Sequence, residues 1–212
     1  MTSRTEHWQA IYKTKDPATL SWYQAEPRLS RELIASTGVA RTAAILDAGG
    51  GTSMLVDSLL ASGYTDLTVL DIASSGFAHA QRRLGPRASE VTWLEADVTT
   101  FVPTRRYALW HDRAVFHFLT DAADRVRYVS SLRRALAADG HVILATFGLH
   151  GPDRCSGLPV VRYDAETLGG ALGPGFSLRR SETELHRTPL GGEQEFVYCW
   201  FTVGTPGVHL GE

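Results

Sequence analysis

Short apolar runs recur through the middle of the chain, and most of them lead to an acid. Ala43-Ala44-Ile45-Leu46 ends at Asp47 and Leu67-Thr68-Val69-Leu70 at Asp71. Val91-Thr92-Trp93-Leu94 leads to Asp97, Tyr107-Ala108-Leu109-Trp110 to Asp112, and residues 141–147 form a fifth run. Apolar side chains occupy both parities of these runs, as in strands buried on both faces of a parallel sheet. Between them the spacing becomes helical. Leu55, Val56, Leu59 and Leu60 share one face of residues 52–62, with Gly63 as the stop. Residues 74–84 carry a weaker helical pattern halted by Gly85-Pro86. Residues 121–138 place Val126, Val129, Leu132 and Leu136 on one face, with Asp121 as N-cap and Asp139-Gly140 as exit. This alternation predicts a doubly wound α/β sheet in three layers, helix–sheet–helix.

The ends follow other patterns. Residues 1–40 carry Trp8, Tyr12, Trp22 and Tyr23 and are expected to form helices broken at Pro17, a cover over the core at 41–150. Residues 148–159 are a loop rich in Gly and Pro, followed by a helix near 164–171. Two strand-like runs, 177–185 and 194–202, are joined through Gly191-Gly192 and predict a C-terminal antiparallel hairpin, so residues 151–212 complete a single domain.

Composition narrows the function classes. The 212 residues carry a formal charge of −2, which gives no basic footprint for nucleic acid and no polybasic surface for lipid. Lys13 and Lys15 are the only lysines among 21 basic residues, an imbalance that codon bias accounts for. Two cysteines, Cys155 and Cys199, are too few for a disulfide framework or a thiolate zinc site, and the histidines lack partners at ligand spacing, so no metal is expected. The polar first residues and the lack of a membrane-length apolar run lead us to expect a soluble, cytoplasmic protein.

The most informative stretch is Asp47-Ala48-Gly49-Gly50-Gly51, between a strand and a helix. Glycines there let the backbone turn tightly and approach a ligand, and the helix start offers free N–H groups. A plain strand-to-helix turn would look the same, but Asp71 follows 24 positions after Asp47, where a carboxylate can take both ribose hydroxyls, and Asp97 lies after the third strand. A dinucleotide turn wants a third glycine where Met54 stands, and Asp47 would repel a pyrophosphate while suiting a cationic ligand.

With these motifs the chain resembles the class I S-adenosylmethionine-dependent methyltransferases, which have a Rossmann-like fold. Asp47-Ala48-Gly49-Gly50-Gly51 matches their first motif, Val69-Leu70-Asp71-Ile72 their second and Glu95-Ala96-Asp97-Val98 their third. The resemblance implies S-adenosylmethionine as cofactor and S-adenosylhomocysteine as product. It implies contacts to the methionine part at Asp47, Gly49, Gly50 and Gly51, to the ribose at Asp71 with Ile72, and to the adenine at Asp97 with Val98. Trp22 and His111 join this set as residues expected to flank the cofactor.

The acceptor is expected near Trp110-His111-Asp112-Arg113-Ala114-Val115-Phe116-His117-Phe118, the loop after the fourth strand, because such loops line the ligand crevice of open sheets. His111 or Asp112 is the candidate base and Arg113 the candidate anchor for an anionic group. Two alternatives stand beside this: Arg113 paired with Asp112, and His117 packed in the core between Phe116 and Phe118 instead of meeting substrate. Tyr23, Arg154 and Cys155 complete the substrate-side candidates, whereas Cys199 sits in an apolar run. The Asp-Arg pair is similar to the thiopurine and small-thiol branch of the superfamily, which points to a small nucleophile such as a thiol. His7-Trp8 and Ser21-Trp22-Tyr23 echo the lysine methyltransferases, which makes a protein substrate the alternative. A non-catalytic S-adenosylmethionine-binding subunit is a third reading, and a nicotinamide oxidoreductase the least favoured.

Overall fold

The computed structural model describes residues 3–204. Before the sheet come α1 (Arg4–Thr14) and α2 (Arg28–Ser36), separated by a turn of 3-10 helix with Pro17 at its start. The core then runs β1 (Ile45–Ala48), α3 (Leu55–Ala61), β2 (Leu67–Asp71), α4 (Ser74–Leu84), β3 (Val91–Glu95), β4 (Tyr107–Arg113), α5 (Ala122–Ala135) and β5 (Leu136–Phe147). A two-stranded ribbon, β6 (Arg154–Cys155) with β7 (Leu158–Pro159), lies in the Gly/Pro-rich loop. The chain continues through α6 (Ala165–Leu172), β8 (Phe176–Arg187) and β9 (Glu193–Val203).

The seven-stranded sheet has the order β3-β2-β1-β4-β5-β9-β8. β1 to β5 are parallel, and β9 and β8 form the expected antiparallel hairpin. Leu29, Leu33 and Ile34 of α2, with Leu55, Leu59 and Leu60 of α3, bury one face of the sheet against Ile45, Leu109 and Ile143. Tyr128 and Leu132 of α5, with Leu168 and Leu172 of α6, bury the other against Leu46, Trp110 and Leu144. The chain works outward from β1 to β3 and then returns to β4, so the sheet changes direction between β1 and β4. A crevice opens at such a point, at the carboxyl ends of the strands.

Three details differ from the sequence pattern. α3 starts at Leu55, because residues 50–54 stay in a tight loop in which Ser53 N donates to Gly50 O at 2.6 Å and Ser53 Oγ accepts from Leu55 N at 3.0 Å. α5 stops at Ala135, and Asp139-Gly140 lies inside β5 where the pairing with β4 shifts register between Tyr107 and Leu109. Val126 is 69% exposed, because α5 turns Tyr128, Ser131, Leu132 and Ala135 to the sheet instead. Among the described residues no helix is long and apolar enough to cross a membrane.

Candidate functional site

The glycine turn leaves β1 with Gly49 at φ 72° and Gly51 at φ 30°, a region that favours glycine. Space forbids any other residue as firmly as the dihedrals do. A Cβ on Gly49 would lie 2.0 Å from Val115 Cγ2, and one on Gly51 would lie 2.7 Å from the Tyr12 hydroxyl and 2.8 Å from Asp71 Oδ2. Arg83 of α4 ties the far side of the turn down, donating to Ser53 O at 2.7 Å and to Asp57 at 2.9 Å. The sequence gives no sign of this clamp.

Asp71 ends β2 and is 4% exposed. Its Oδ1 accepts from Ala73 N at 2.9 Å, and Tyr12 donates to Oδ2 across a long 3.4 Å. Burial pushes its carboxyl up to about 7 despite these donors. Asp97 holds its loop by accepting at Oδ1 from Thr99 N and Thr99 Oγ1. Asp71, Ile72, Asp97, Val98 and Gly49 all line one cleft of about 720 Å³ including its open mouth. Trp8, Tyr12, Trp22 and Phe118 form its aromatic wall, with Trp8 edge-on to Trp22 and Phe118 at 5.7 and 5.1 Å.

A second, more polar recess of about 530 Å³ shares Tyr12, Trp22, Gly49 and Arg113 with the first and adds Asp47, Gly50, Ser30, Tyr23 and His111. Asp47 Oδ2 is buried there without a hydrogen-bond partner. The two spaces form one crevice over the point where the sheet reverses.

β4 separates the three titratable residues that stand together in the sequence. His111 and Arg113 point toward the crevice. Asp112 points to the opposite face, where it is fully buried and accepts from Tyr128 Oη at 2.6 Å and from Val115 N at 2.9 Å. It therefore caps the turn after β4 and reaches no substrate space. Burial raises its carboxyl to about 6. His111 has both ring nitrogens engaged, Nδ1 with Asp47 Oδ1 at 2.7 Å and Nε2 with Ser30 Oγ at 2.9 Å. Arg113 pairs with Glu184 at 4.0 Å and not with Asp112. It also donates to Tyr198 Oη at 2.7 Å and Trp22 O at 2.8 Å, and it lies over the Phe196 ring at 4.3 Å.

Two substrate-side candidates stand away from the crevice. His117 is wholly buried against Phe118 and Phe147, and Phe147 N donates to its Nδ1 at 3.3 Å. Burial holds that imidazole down at about 3, so it is a neutral core residue. Arg154 is exposed and spends its guanidinium on Gly157 O. Cys155 does line the cleft, but burial pushes its thiol up to about 11, which favours the protonated thiol at neutral pH. Cys199 lies in the core with its thiol raised to about 12. Among the described residues no group of His, Cys, Asp and Glu could hold a metal ion.

Residues 45–140, from β1 into β5, match the family model described as a methyltransferase domain. Solved structures similar to the chain span nearly all of it. One comes from work on the conversion of a disulfide bond into a thioacetal group during echinomycin biosynthesis, at TM-score 0.78 and 17% identity over 97% of this chain and 94% of that one. A second is the 1,6-didemethyltoxoflavin-N1-methyltransferase of Burkholderia thailandensis, at 0.68 and 18% over 95% and 84%. A third is the N-methyltransferase NodS of Bradyrhizobium japonicum, at 0.71 and 18% over 96% and 100%. At these identities the likeness establishes the fold. No curated protein matches the chain in sequence.

Proposed function

We propose that the crevice binds S-adenosylmethionine and that the chain transfers its methyl group to a small-molecule nucleophile, with a thiol as the leading candidate. The observation that carries the cofactor reading is the pair of buried acids at adjacent strand ends, Asp47 with an unpartnered oxygen and Asp71 facing the cleft, on either side of a turn no side chain can enter. Asp71 suits the ribose hydroxyls, and Asp97 with Val98 suits the adenine. The glycine turn and Asp47 suit the amino-acid tail. The faces of Trp22 and Tyr12 suit a sulfonium. When bound, S-adenosylmethionine supplies a methyl carbon activated on a sulfonium. The chain's own contribution is alignment and exclusion of water, because Trp8 and Trp22 roof the cleft.

The acceptor reading rests on what the cleft lacks and on its charge. Asp112 faces away and His111 is engaged at both nitrogens, so neither stands ready to take a proton. A thiol needs little help, since its pKa of about 8.5 leaves some thiolate at neutral pH. Arg113 beside the aromatic wall suits an anionic acceptor such as a thiolate better than an amine. Residues 3–40 serve as the roof and the C-terminal hairpin supplies Glu184 and Tyr198 behind Arg113. A tritiated-methyl transfer screen of small thiols against whole-cell protein extract tests the reading: label in the thiols supports it, and label in protein alone overturns it. Calorimetry with S-adenosylmethionine and NAD checks the cofactor, and tight NAD binding would sink that part.

A further inference from the structure

Behind the glycine turn, three buried side chains form a line. Asp47 and His111 are direct partners in the parallel register of β1 and β4, so both project to the face covered by α2, where Ser30 stands. Their exposures are 5%, 2% and 1% for Asp47, His111 and Ser30. Nδ1 of His111 meets Asp47 Oδ1 at 2.7 Å and Nε2 meets Ser30 Oγ at 2.9 Å. The Asp47 end fixes one proton position. An ionised carboxylate can only accept, so His111 donates through Nδ1–H. Its Nε2 meets the Ser30 hydroxyl, which can either donate or accept. The ring is held from both sides, and it fixes one oxygen of Asp47.

The consequence appears at the other oxygen. Asp47 Oδ2 is buried without a partner and stands 2.6 Å from where a Cβ of Gly50 would be. A carboxylate oxygen left bare in a buried site costs free energy, and it persists only when the rest of the group is held in place. Arg113 lines the same recess, which disfavours a bare cation and suits a zwitterion.

We infer that His111 and Ser30 are positioning residues that hold Asp47 with its bare oxygen toward the recess, ready for the ammonium of an α-amino-acid tail. The inference rests on the cofactor reading above and deepens it, because it assigns selectivity for the tail to two residues acting through a third. His111 thereby has a task on the binding side of the reaction and none as a base.

The test compares two probes in calorimetry. S-adenosylhomocysteine carries the tail, and 5′-methylthioadenosine shares the adenosine but lacks it. In His111→Leu the donor to Asp47 is gone, and S-adenosylhomocysteine should bind about 30-fold more weakly while 5′-methylthioadenosine stays within about twofold. His111→Asn, whose amide can donate from near the Nδ1 position, should bring S-adenosylhomocysteine back to within about fivefold of the wild type. Ser30→Ala should cost about threefold, again for the tailed probe alone. Retained 5′-methylthioadenosine binding also reports that each variant is folded. Equal losses for both probes in His111→Leu, or no loss for either, would overturn the inference and leave the cofactor reading standing. A wild-type protein that binds neither probe would overturn both.

Discussion

The two faces of β4 at its carboxyl end carry opposite kinds of environment. On one face His111 and Arg113 look into the crevice, tied to Asp47, Ser30, Glu184 and Trp22. On the other, Asp112 lies with Trp110 and Tyr128 in a dry cluster, where Trp110 Nε1 donates to Tyr128 Oη at 2.9 Å and Tyr128 donates onward to Asp112. Strand alternation alone makes the division. Three consecutive titratable residues thus face the crevice, the core and the crevice again, and a cluster in sequence is not a cluster in space.

The largest expected effect lies on the crevice face. Arg113→Leu should reduce turnover about 100-fold, because it removes a desolvated charge and its hold on the Trp22 carbonyl. Steady-state methyl transfer measures this, and a loss under threefold would break the contrast between the faces. On the other face, Asp112→Asn should cost about 2 kcal/mol of stability in urea unfolding and leave S-adenosylhomocysteine affinity within about twofold. A pH series sharpens that result. The folded carboxyl of Asp112 sits at about 6 against an ordinary value of 3.8, so the folded state holds a proton between them that the unfolded chain has released. Its stabilising contribution is complete below the lower value and fades as pH rises through the upper one, at about 1.4 kcal/mol per pH unit in between. Asp112→Asn should remove that slope.

Asp71 is the crevice-side counterpart of this titration. With its carboxyl raised to about 7, it is ionised above that value and protonated below it. Cofactor affinity should therefore fall by up to about tenfold per unit as pH drops below 7, and Asp71→Asn should flatten that dependence. The smallest effect is expected at Cys155, where Cys155→Ser should leave turnover within about threefold, since its thiol stays protonated in the cleft wall.

Much of the fold was legible in the sequence, because the parallel strands are continuous apolar runs and each helix repeats its apolar face. The glycine turn and Asp71 were legible for a related reason, since each stands at a strand end where position implies direction. The remainder depended on contacts across long separations. Nothing near Ser30 marks it as the partner of His111, 81 residues away, and nothing near Glu184 marks it for Arg113. Asp112, His117 and Arg154 were drawn to the site by residue type, and strand parity, burial and a local carbonyl place them elsewhere. Tyr12 was visible only as an aromatic in an N-terminal helix, yet its hydroxyl reaches Asp71.

α1 closes the crevice by reaching to both sides of it. Gln9 donates to Glu95 at 3.0 Å and Tyr12 O meets His79 on the β2–β3 side, while Arg4 pairs with Asp124 of α5 at 2.9 Å on the other. Every one of these partners comes later in the chain than α1 itself. The helix can start alone, since Ser3 and Glu6 give it a capping box, but its docking contacts all wait on later parts of the chain. The roof is held by side-chain contacts and not by sheet hydrogen bonds, so it should loosen before the sheet does. Its amide protons should exchange sooner than those of the sheet it covers, and a bound nucleoside should slow them.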